Sequence, residues 1–347
     1  MRGGEGYASA TGAEVPSDAI RGLEGRGGVV VGGGGGVITR AALPSISGVV
    51  VNYHTPDSSL AAARSLLREG AAECVIVNNG GVPPIPESAE PIRILDPGGN
   101  VGFGRGVNFG VGAIRGDLVV LLNSDAELLP GALTTAQQVL GAVGGIVGSK
   151  ELSPEGVAVC WAAPVLTWGG DMLGAVVGYR RVARWAAGLG RLGKALWWGP
   201  SVSGGFMVMH SSTFAELEGF RPDFFMYGDD VDMCWRAWSR GIPVTLLEEP
   251  LYRHANRGSP TLRDRQWMIA ESDALLAGIR YGRAGAGILL ATRVVASWTG
   301  CALAFPFRWW APMNGIHAGR QSWCRHSSLT LQCHRRSRRY RVGGGSP

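Results

Sequence analysis

Short continuous apolar runs and helical patterns alternate in the first half of the chain. The apolar runs predict strands at 46–52, 73–78, 92–95 and 117–123. Apolar positions recur with helical spacing at 57–69, and 102–115 reads as a glycine-rich helix. Strands that alternate with helices through short links are typical of a sheet covered by helices on both faces. We therefore predict an α/β fold with a mostly parallel sheet.

The pattern divides the chain into four parts. Residues 1–44 contain a glycine run that lacks the spacing of a dinucleotide-binding loop, and we expect a poorly ordered leader there. Residues 45–260 hold the alternating strands and helices, with a Trp-rich and Gly-rich insertion at 150–200. Residues 261–310 read as a helical, membrane-associating extension, and 311–347 as a basic, disordered tail.

The most apolar stretch of the extension is 284–307, which Arg293 interrupts. A membrane-spanning helix needs about 20 predominantly apolar residues. Three interpretations stay open: a packed helix, a helix at the membrane surface, and a membrane span.

The net charge of +6 arises in the tail. From 308 onward there are eight Arg and no acidic residue, and without them 25 basic residues face 27 acidic ones. A near-neutral body argues against a basic nucleic-acid groove, so nucleic-acid binding stays open only for the tail. An apolar stretch followed by Trp309, Trp310 and many Arg favours an anionic membrane surface.

Six scattered Cys without a C-x-x-C pair argue against a zinc ribbon and suit a reduced compartment. We therefore expect a cytoplasmic protein at the inner face of the cell membrane.

Polar residues follow the predicted strands. Asn52 and Tyr53 end the first strand, Asn78 ends the second, and Asn123 and Asp125 end the fourth. Sheets of this kind bind ligands beyond the carboxyl ends of their strands. These residues are therefore candidates for a binding site.

The other candidate binding and catalytic residues lie in three segments and at one histidine. The segments are the glycine-rich segment 98–110, the segment 121–128 and the segment 224–236, and the histidine is His254. Their order and spacing resemble those of the family-2 inverting glycosyltransferases with the GT-A fold, most of all a rhamnosyltransferase-like branch. The resemblance covers roughly 46–260. It implies a nucleotide diphospho-sugar donor and a divalent cation, Mg²⁺ or Mn²⁺, at the leaving diphosphate.

The resemblance implies a role for each part of the site. Asp125 stands where the family binds its metal, and His254 is a candidate second ligand. The family's first carboxylate in that motif is replaced here by Asn123. If neither residue binds a metal, Asp125 is a turn residue and His254 is a surface residue at a strand end.

The acidic pair before the predicted helix 231–240 matches the position of the family's general base. Asp230 is the preferred base and Asp229 the alternative. The pair could instead favour the positive end of the helix dipole. Asp232 and Arg236, at i and i+4, predict an ion pair on one helix face.

The donor-binding residues implied by the resemblance are Asn52, Tyr53, Asn78, Asn100, Gly102, Asn108, Asn123 and Asp125. Asn78 stands where the family has an Asp that bonds the pyrimidine, which leaves the nucleotide open.

The sequence thus predicts an inverting, metal-dependent glycosyltransferase of cell-wall or polysaccharide synthesis. Its donor would be dTDP-L-rhamnose or another nucleotide sugar such as a UDP-hexose, and its acceptor a saccharide or polyprenyl-linked saccharide. A non-catalytic nucleotide-sugar-binding relic is the alternative, because one metal carboxylate is missing.

Overall fold

The structure, a computed structural model, describes residues 44–86, 89–159, 163–189, 192–254 and 262–304. The predicted leader, apart from its last residue, and the predicted tail lie outside this part of the chain. A nine-stranded mixed sheet forms the centre of the fold.

The described residues of the first half form seven strands and three helices: β1 (Ile46–Asn52), α1 (Pro56–Arg68), β2 (Glu73–Asn78), β3 (Ile92–Leu95), α2 (Phe103–Val111), β4 (Leu118–Asn123), β5 (Ala126–Leu128), α3 (Ala132–Val143), β6 (Ile146–Leu152) and β7 (Ala158–Val159). In the second half, the residues that the structure describes form four strands and five helices: β8 (Val165–Leu166), α4 (Trp168–Val177), α5 (Tyr179–Gly188), β9 (Trp197–Gly199), β10 (Phe206–His210), α6 (Ser211–Glu216), α7 (Asp229–Ser239), β11 (Val244–His254) and α8 (Leu262–Ala304). A 3-10 turn, Leu192–Ala195, precedes β9.

The main sheet has the strand order β3-β2-β1-β4-β10-β6-β11-β5, with β7 paired to β6. The pairs β1–β2, β1–β4, β2–β3 and β6–β11 are parallel. Strand β10 runs antiparallel to both of its neighbours, and β5 runs antiparallel to β11. The mostly parallel sheet predicted from the sequence is confirmed for β1 to β4, and the antiparallel pairs involve β5, β7 and β10.

Two apolar layers hold helices against the opposite faces of the sheet. Successive residues of β1 alternate between them, because side chains of a strand point to opposite faces. Val50 joins the layer that contains residues of α1 and α3, and Val49 joins the layer that contains residues of α2, α6 and α7. Strand β4 is central and covered on both faces, which explains its unbroken Leu-Val-Val-Leu-Leu run.

The helix α8 reverses direction at Gly282, where the backbone leaves the helical region (φ 66°, ψ 177°). Asp273 and Arg293 form an ion pair of 3.2 Å across the reversal. In a straight helix these residues would be about 30 Å apart. The apolar stretch 284–307 therefore begins as the second arm of a hairpin, packed against α4 through Ala286 and Leu289.

The charge of Arg293 does not prevent the second arm of α8 from packing. Its guanidinium bonds Asp273 and the Tyr179 hydroxyl, so a charge that interrupts the apolar stretch is satisfied inside the helical layer. Within the described residues, no helix is both long enough and apolar enough to cross a membrane.

Candidate active site

The carboxyl ends of β1, β2 and β4 lie side by side at one edge of the sheet. In the parallel register, Asn52 pairs with Asn78, and Val51 pairs with Asn123. Tyr53 follows β1 at the same edge, with 46% of its surface exposed. The structure thus brings together the strand-end residues that the sequence pattern singles out.

Asn52 and Asn78 form a buried amide pair at this edge. The Asn52 Nδ2 donates to the Asn78 Oδ1 over 2.8 Å, and the Asn52 Oδ1 accepts from the Ser59 hydroxyl over 2.8 Å. Within the described part of the chain, the Asn78 Nδ2 makes only a long bond of 3.4 Å to the Gly81 carbonyl. Asn78 is therefore better able to donate an N–H to a ligand than to accept a bond from one.

Asn79 holds the glycine-rich segment in place, a role that sequence reasoning did not assign. Its Nδ2 donates to the Asn100 Oδ1 over 3.0 Å and to the Gly102 carbonyl over 3.1 Å, while its Oδ1 accepts from the Val101 N–H over 2.8 Å. The available signal was its position directly after the buried strand β2. Asn100 itself is exposed, so one side of its amide stays open to solvent.

Gly102 marks the contact between this segment and the loop that precedes α7. Its φ is 89°, and a Cβ there would lie 2.4 Å from the Phe225 carbonyl oxygen. The Phe103 N–H donates to the same oxygen over 2.9 Å. Only glycine allows both the dihedral and this close approach.

Asn108 points away from the sheet edge and binds the backbone of Phe220. Its Nδ2 donates to the Phe220 carbonyl and its Oδ1 accepts from the Phe220 N–H, each over 2.8 Å. Both ends of the amide are thus used to fasten the loop after α6. This contact gives Asn108 a structural explanation that does not involve a donor.

Asp125 and His254 meet because β5 and β11 pair antiparallel, with His254 opposite Ala126. The His254 Nε2 lies 2.7 Å from the Asp125 Oδ1, and its Nδ1 lies 3.1 Å from the Glu151 Oε2. Burial opposes protonation of this ring, but the hydrogen bonds to Asp125 and Glu151 raise the pKa of His254 to about 9. The pair is partly accessible, with side-chain exposures of 18% and 13%.

The donor set around Asp125 fits a divalent cation that is completed by substrate oxygens. A carboxylate behind the Nδ1 of a metal-binding histidine is the usual partner that sets its tautomer, and Glu151 occupies that place. Among the residues that the structure describes, no three His, Cys, Asp or Glu side chains converge on one metal position. Mg²⁺ is commonly bound by one or two carboxylates plus phosphate oxygens, so a two-residue protein site is chemically sufficient.

The acidic pair Asp229-Asp230 occupies the first turn of α7. The Asp230 Oδ2 accepts from the Gly204 N–H over 3.2 Å, and its Oδ1 accepts from the Val231 N–H over 2.8 Å. The Asp229 Oδ1 accepts from the Asp230 N–H over 3.1 Å, whereas its buried Oδ2 has no partner among the described residues. The two carboxylates therefore have different environments.

Burial raises the pKa of both carboxyl groups. For Asp229, burial and the neighbouring charge of Asp230 raise the pKa to about 7. For Asp230, burial raises the pKa, and the N–H donors of Gly204 and Val231 oppose the shift. A carboxylate with a raised pKa that still accepts N–H donors is suited to taking up a proton near neutral pH.

The turn before α7 is held by the first arm of α8. Tyr227 and Gly228 both have positive φ, 66° and 75°, and a non-glycine residue in this region needs support from its surroundings. The Ser272 hydroxyl donates to the Met226 carbonyl over 2.8 Å, and the Arg265 guanidinium lies 6.0 Å from the Tyr227 ring centroid. The helical extension thus positions the acidic pair.

Asp232, the third acidic residue of α7, has a structural role. It is fully buried and pairs with Arg236 over 2.8 Å and with Arg221 over 3.3 Å. The predicted i, i+4 ion pair is confirmed, and it lies inside the fold instead of on a solvated face. Its charge is neutralised, which leaves Asp229 and Asp230 as the carboxylates available for chemistry.

The loop 203–205 connects the two halves of the site. The Gly205 carbonyl accepts from the Asn123 N–H over 3.1 Å, and the Gly204 N–H donates to Asp230. On the other side, the Asn123 Nδ2 lies 3.5 Å from the His254 Nε2. The Asp125–His254 pair and Asp230 are therefore linked by direct contacts along one edge of the sheet.

This mixed sheet, flanked by helices and with its polar residues gathered at the carboxyl edge, defines a GT-A fold, which confirms the predicted fold class. The sequence model of a family described as "Glycosyltransferase like family 2" matches residues 85–268, more than half of the chain. The chain belongs to this family. A comparison with curated protein sequences finds no match.

Three of the solved structures that are similar to this chain are the following. TarS 1-349 of S. aureus is 12% identical with a TM-score of 0.42, and the match covers 84% of this chain and 92% of that one. The mannosyltransferase PcManGT from Pyrobaculum calidifontis, in complex with GDP-Man and Mn2+, is 12% identical with a TM-score of 0.49, over 84% and 86%. GalNAc-T7 with UDP, GalNAc and Mn2+ is 12% identical with a TM-score of 0.47, over 70% and 52%.

Proposed function

We propose that this chain transfers a sugar, with inversion at the anomeric carbon, from a nucleotide diphospho-sugar to a saccharide or polyprenyl-linked saccharide. The observation that supports this most is the continuous set of contacts that joins the Asp125–His254 pair to Asp230 at one sheet edge. A site for the leaving diphosphate and a base for the acceptor are both needed for direct displacement. The catalytic domain would be 45–260, followed by the extension 261–310.

In this proposal Asp125 and His254 hold the cation, Mg²⁺ or Mn²⁺. The bound cation supplies neutralisation of the charge that develops on the leaving diphosphate. Glu151 keeps the His254 ring oriented from the Nδ1 side. Asn123 lies against the same ring and keeps its amide next to the diphosphate position.

The nucleotide would lie over the ends of β1 and β2. Asn78 can donate an N–H to a carbonyl of a pyrimidine base, and the exposed ring of Tyr53 can stack beside it. Asn100 and the backbone of Gly102 then face the remainder of the donor, held there by Asn79. We do not include Asn108 in this set, because its amide is used by Phe220.

Asp230 is the proposed general base. It takes the proton of the acceptor hydroxyl while that oxygen attacks the anomeric carbon, and the nucleoside diphosphate leaves on the opposite face. Asp229 keeps the backbone of Asp230 in place through its Oδ1. Its Oδ2 has no partner among the described residues, which makes Asp229 the alternative base.

The donor sugar proposed first is L-rhamnose from dTDP-L-rhamnose, in cell-wall or polysaccharide synthesis at the inner face of the cell membrane. A UDP-hexose is the second candidate, supported by Asn78, whose amide can bond either pyrimidine nucleotide. A non-catalytic nucleotide-sugar-binding protein is a further candidate, supported by the presence of Asn123 where a second metal carboxylate would stand.

A donor screen tests the proposal. The full chain is incubated with Mn²⁺ or Mg²⁺, a polyprenyl-linked saccharide and one donor at a time, and nucleoside diphosphate release is measured. Release from one donor that depends on the metal and is lost in Asp125→Ala supports the proposal, with the exposed Asp57→Ala as matched control. Donor binding without release from any donor would instead support the non-catalytic alternative.

A further inference from the structure

The helix α5 has one face packed on the protein and one face in solvent. Val182, Ala183 and Ala186 are buried, and the first two form an apolar cluster with Leu166. The solvent face contains Arg181, Arg184 and Trp185, together with Leu189 just after the helix. Residues at spacings of three and four share one side of a helix, so these residues form one continuous surface.

This surface exposes large apolar side chains next to positive charge. Trp185 and Leu189 are each 51% exposed, and Val176 at the end of α4 is 61% exposed. The Arg181 Nη1 donates to the Val177 carbonyl over 3.1 Å, which places this guanidinium between the two helices. We call Val176, Arg181, Arg184, Trp185 and Leu189 the α5 surface.

The sequence around the α5 surface is basic. Residues 180–194 contain four Arg and one Lys, and there is no Asp or Glu anywhere between 172 and 215. Within the described part of the chain, neither Arg181 nor Arg184 forms an ion pair with a carboxylate. The positive charges of Arg181 and Arg184 are therefore available to an anionic partner.

We propose that the α5 surface docks on an anionic lipid bilayer. An amphipathic helix with Trp and Leu between Arg residues matches a membrane interface, where the apolar side chains enter the acyl boundary and the guanidinium groups stay at the headgroups. A nucleic-acid duplex would use the same charges but would leave Trp185 and Leu189 without an apolar environment. The charge and the apolar area together favour lipid.

Direct contacts connect the elements next to the α5 surface to α7 of the candidate active site. The Trp238 Nε1 of α7 donates to the Pro200 carbonyl over 2.9 Å, next to β9. The Arg280 guanidinium of α8 lies 5.8 Å from the Trp235 ring of α7 and pairs with Asp171 of α4 over 3.2 Å. Docking through α5 would thus set the orientation of α7 towards the bilayer. The inference goes beyond the proposed function and does not depend on turnover.

Vesicle flotation of the full chain tests the proposal. Two lipid compositions are used, phosphatidylcholine alone and phosphatidylcholine mixed with phosphatidylglycerol. The protein should float with the mixed vesicles at low salt, and the double variant Arg184→Gln/Trp185→Ser should bind them roughly tenfold more weakly. The matched control Arg68→Gln/Ile85→Ser alters an exposed Arg and an exposed apolar residue elsewhere, and it should bind as the parent does.

Three outcomes would overturn the proposal. The double variant could float as well as the parent, which would assign binding to another part of the chain. The parent could bind both lipid compositions equally, which would remove the role of charge. It could also bind a labelled DNA duplex and no vesicle, with the DNA binding lost in the double variant, which would make the α5 surface a nucleic-acid site. Circular dichroism confirms that each variant is folded, and nucleoside diphosphate release from a soluble donor should not change.

Discussion

Replacing Asp229 by Asn should stabilise the protein at alkaline pH. The Asp229 carboxyl is 3% exposed, one of its oxygens has no partner among the described residues, and burial with the charge of Asp230 raises its pKa to about 7. The ordinary value is 3.8, so between about pH 4 and pH 7 the folded state binds more protons here than the unfolded state. The free energy of unfolding therefore falls as the pH rises through this window.

The size of this change in the free energy of unfolding follows from the width of the pH window. Each pH unit contributes at most about 1.4 kcal/mol, which gives an upper bound of about 4 kcal/mol over three units. A buried polar group without a partner typically costs about 1–3 kcal/mol, and we expect about 2 kcal/mol for this carboxylate. Asp229→Asn should match the parent near pH 4 and exceed its unfolding free energy by that amount near pH 8.

Urea unfolding followed by circular dichroism, at a series of pH values from 4 to 8, measures this difference. Asp230 interacts with Asp229, so its titration also differs between parent and variant, whereas more distant titrating groups contribute equally and cancel in the comparison. Asp223→Asn, at an exposed position on the preceding loop, is the matched control and should leave the pH profile unchanged. Parallel profiles for Asp229→Asn and the parent would refute the reasoning that a buried carboxylate opposes folding at high pH.

Three further changes have defined expected results. Gly104→Ala would place a Cβ 2.9 Å from the Phe220 Cβ and should lower the free energy of unfolding in urea by about 1–3 kcal/mol; an unchanged midpoint would contradict this. Arg236→Met leaves Asp232 buried with one weaker partner, and a loss of about 3 kcal/mol in the same assay is expected, whereas a neutral result would show that the pair is dispensable. Glu151→Gln should weaken Mn²⁺ binding in the presence of nucleoside diphosphate about tenfold to a hundredfold by calorimetry, and parent-like affinity would remove its orienting role.

The sheet edge could be predicted from the sequence because buried parallel strands leave an unambiguous pattern. The runs that end in Asn52, Asn78 and Asn123 are continuous and apolar, and parallel strands place their ends at one edge. The ion pair of Asp232 and Arg236 was predictable from helical spacing alone. The burial of this ion pair could not be predicted, because the residues that cover the pair belong to other elements.

Other features depend on contacts between distant residues and leave little trace in the sequence. Asp125 and His254 meet through β5, a strand of three residues that is too short to show a periodicity. The amide of Asn108 binds Phe220 across 112 residues, which no local pattern indicates. The reversal of α8 depends on Gly282, and a single glycine inside a helical pattern is equally consistent with an unbroken helix.

In the proposed mechanism, different residues bind the donor and remove the proton of the acceptor. Asp125 and His254 act on the diphosphate, whereas Asp230 acts on the acceptor hydroxyl. The raised pKa of Asp230 places its protonation closer to neutral pH, so turnover should fall as the solution is acidified. The pH profile of turnover on a responding donor measures this, and a rate that stays constant towards acid pH would argue against a carboxylate base.

The central claim is that Asp230 is the general base, and Asp230→Asn tests it most directly. Two quantities are measured on the same preparation: the rate of nucleoside diphosphate release on a responding donor and acceptor, and the affinity for that donor with Mn²⁺. We predict a loss of about a hundredfold to ten-thousandfold in rate with donor affinity preserved within about twofold. A variant that turns over at the parent rate, or that loses donor binding instead of rate, would contradict the assignment.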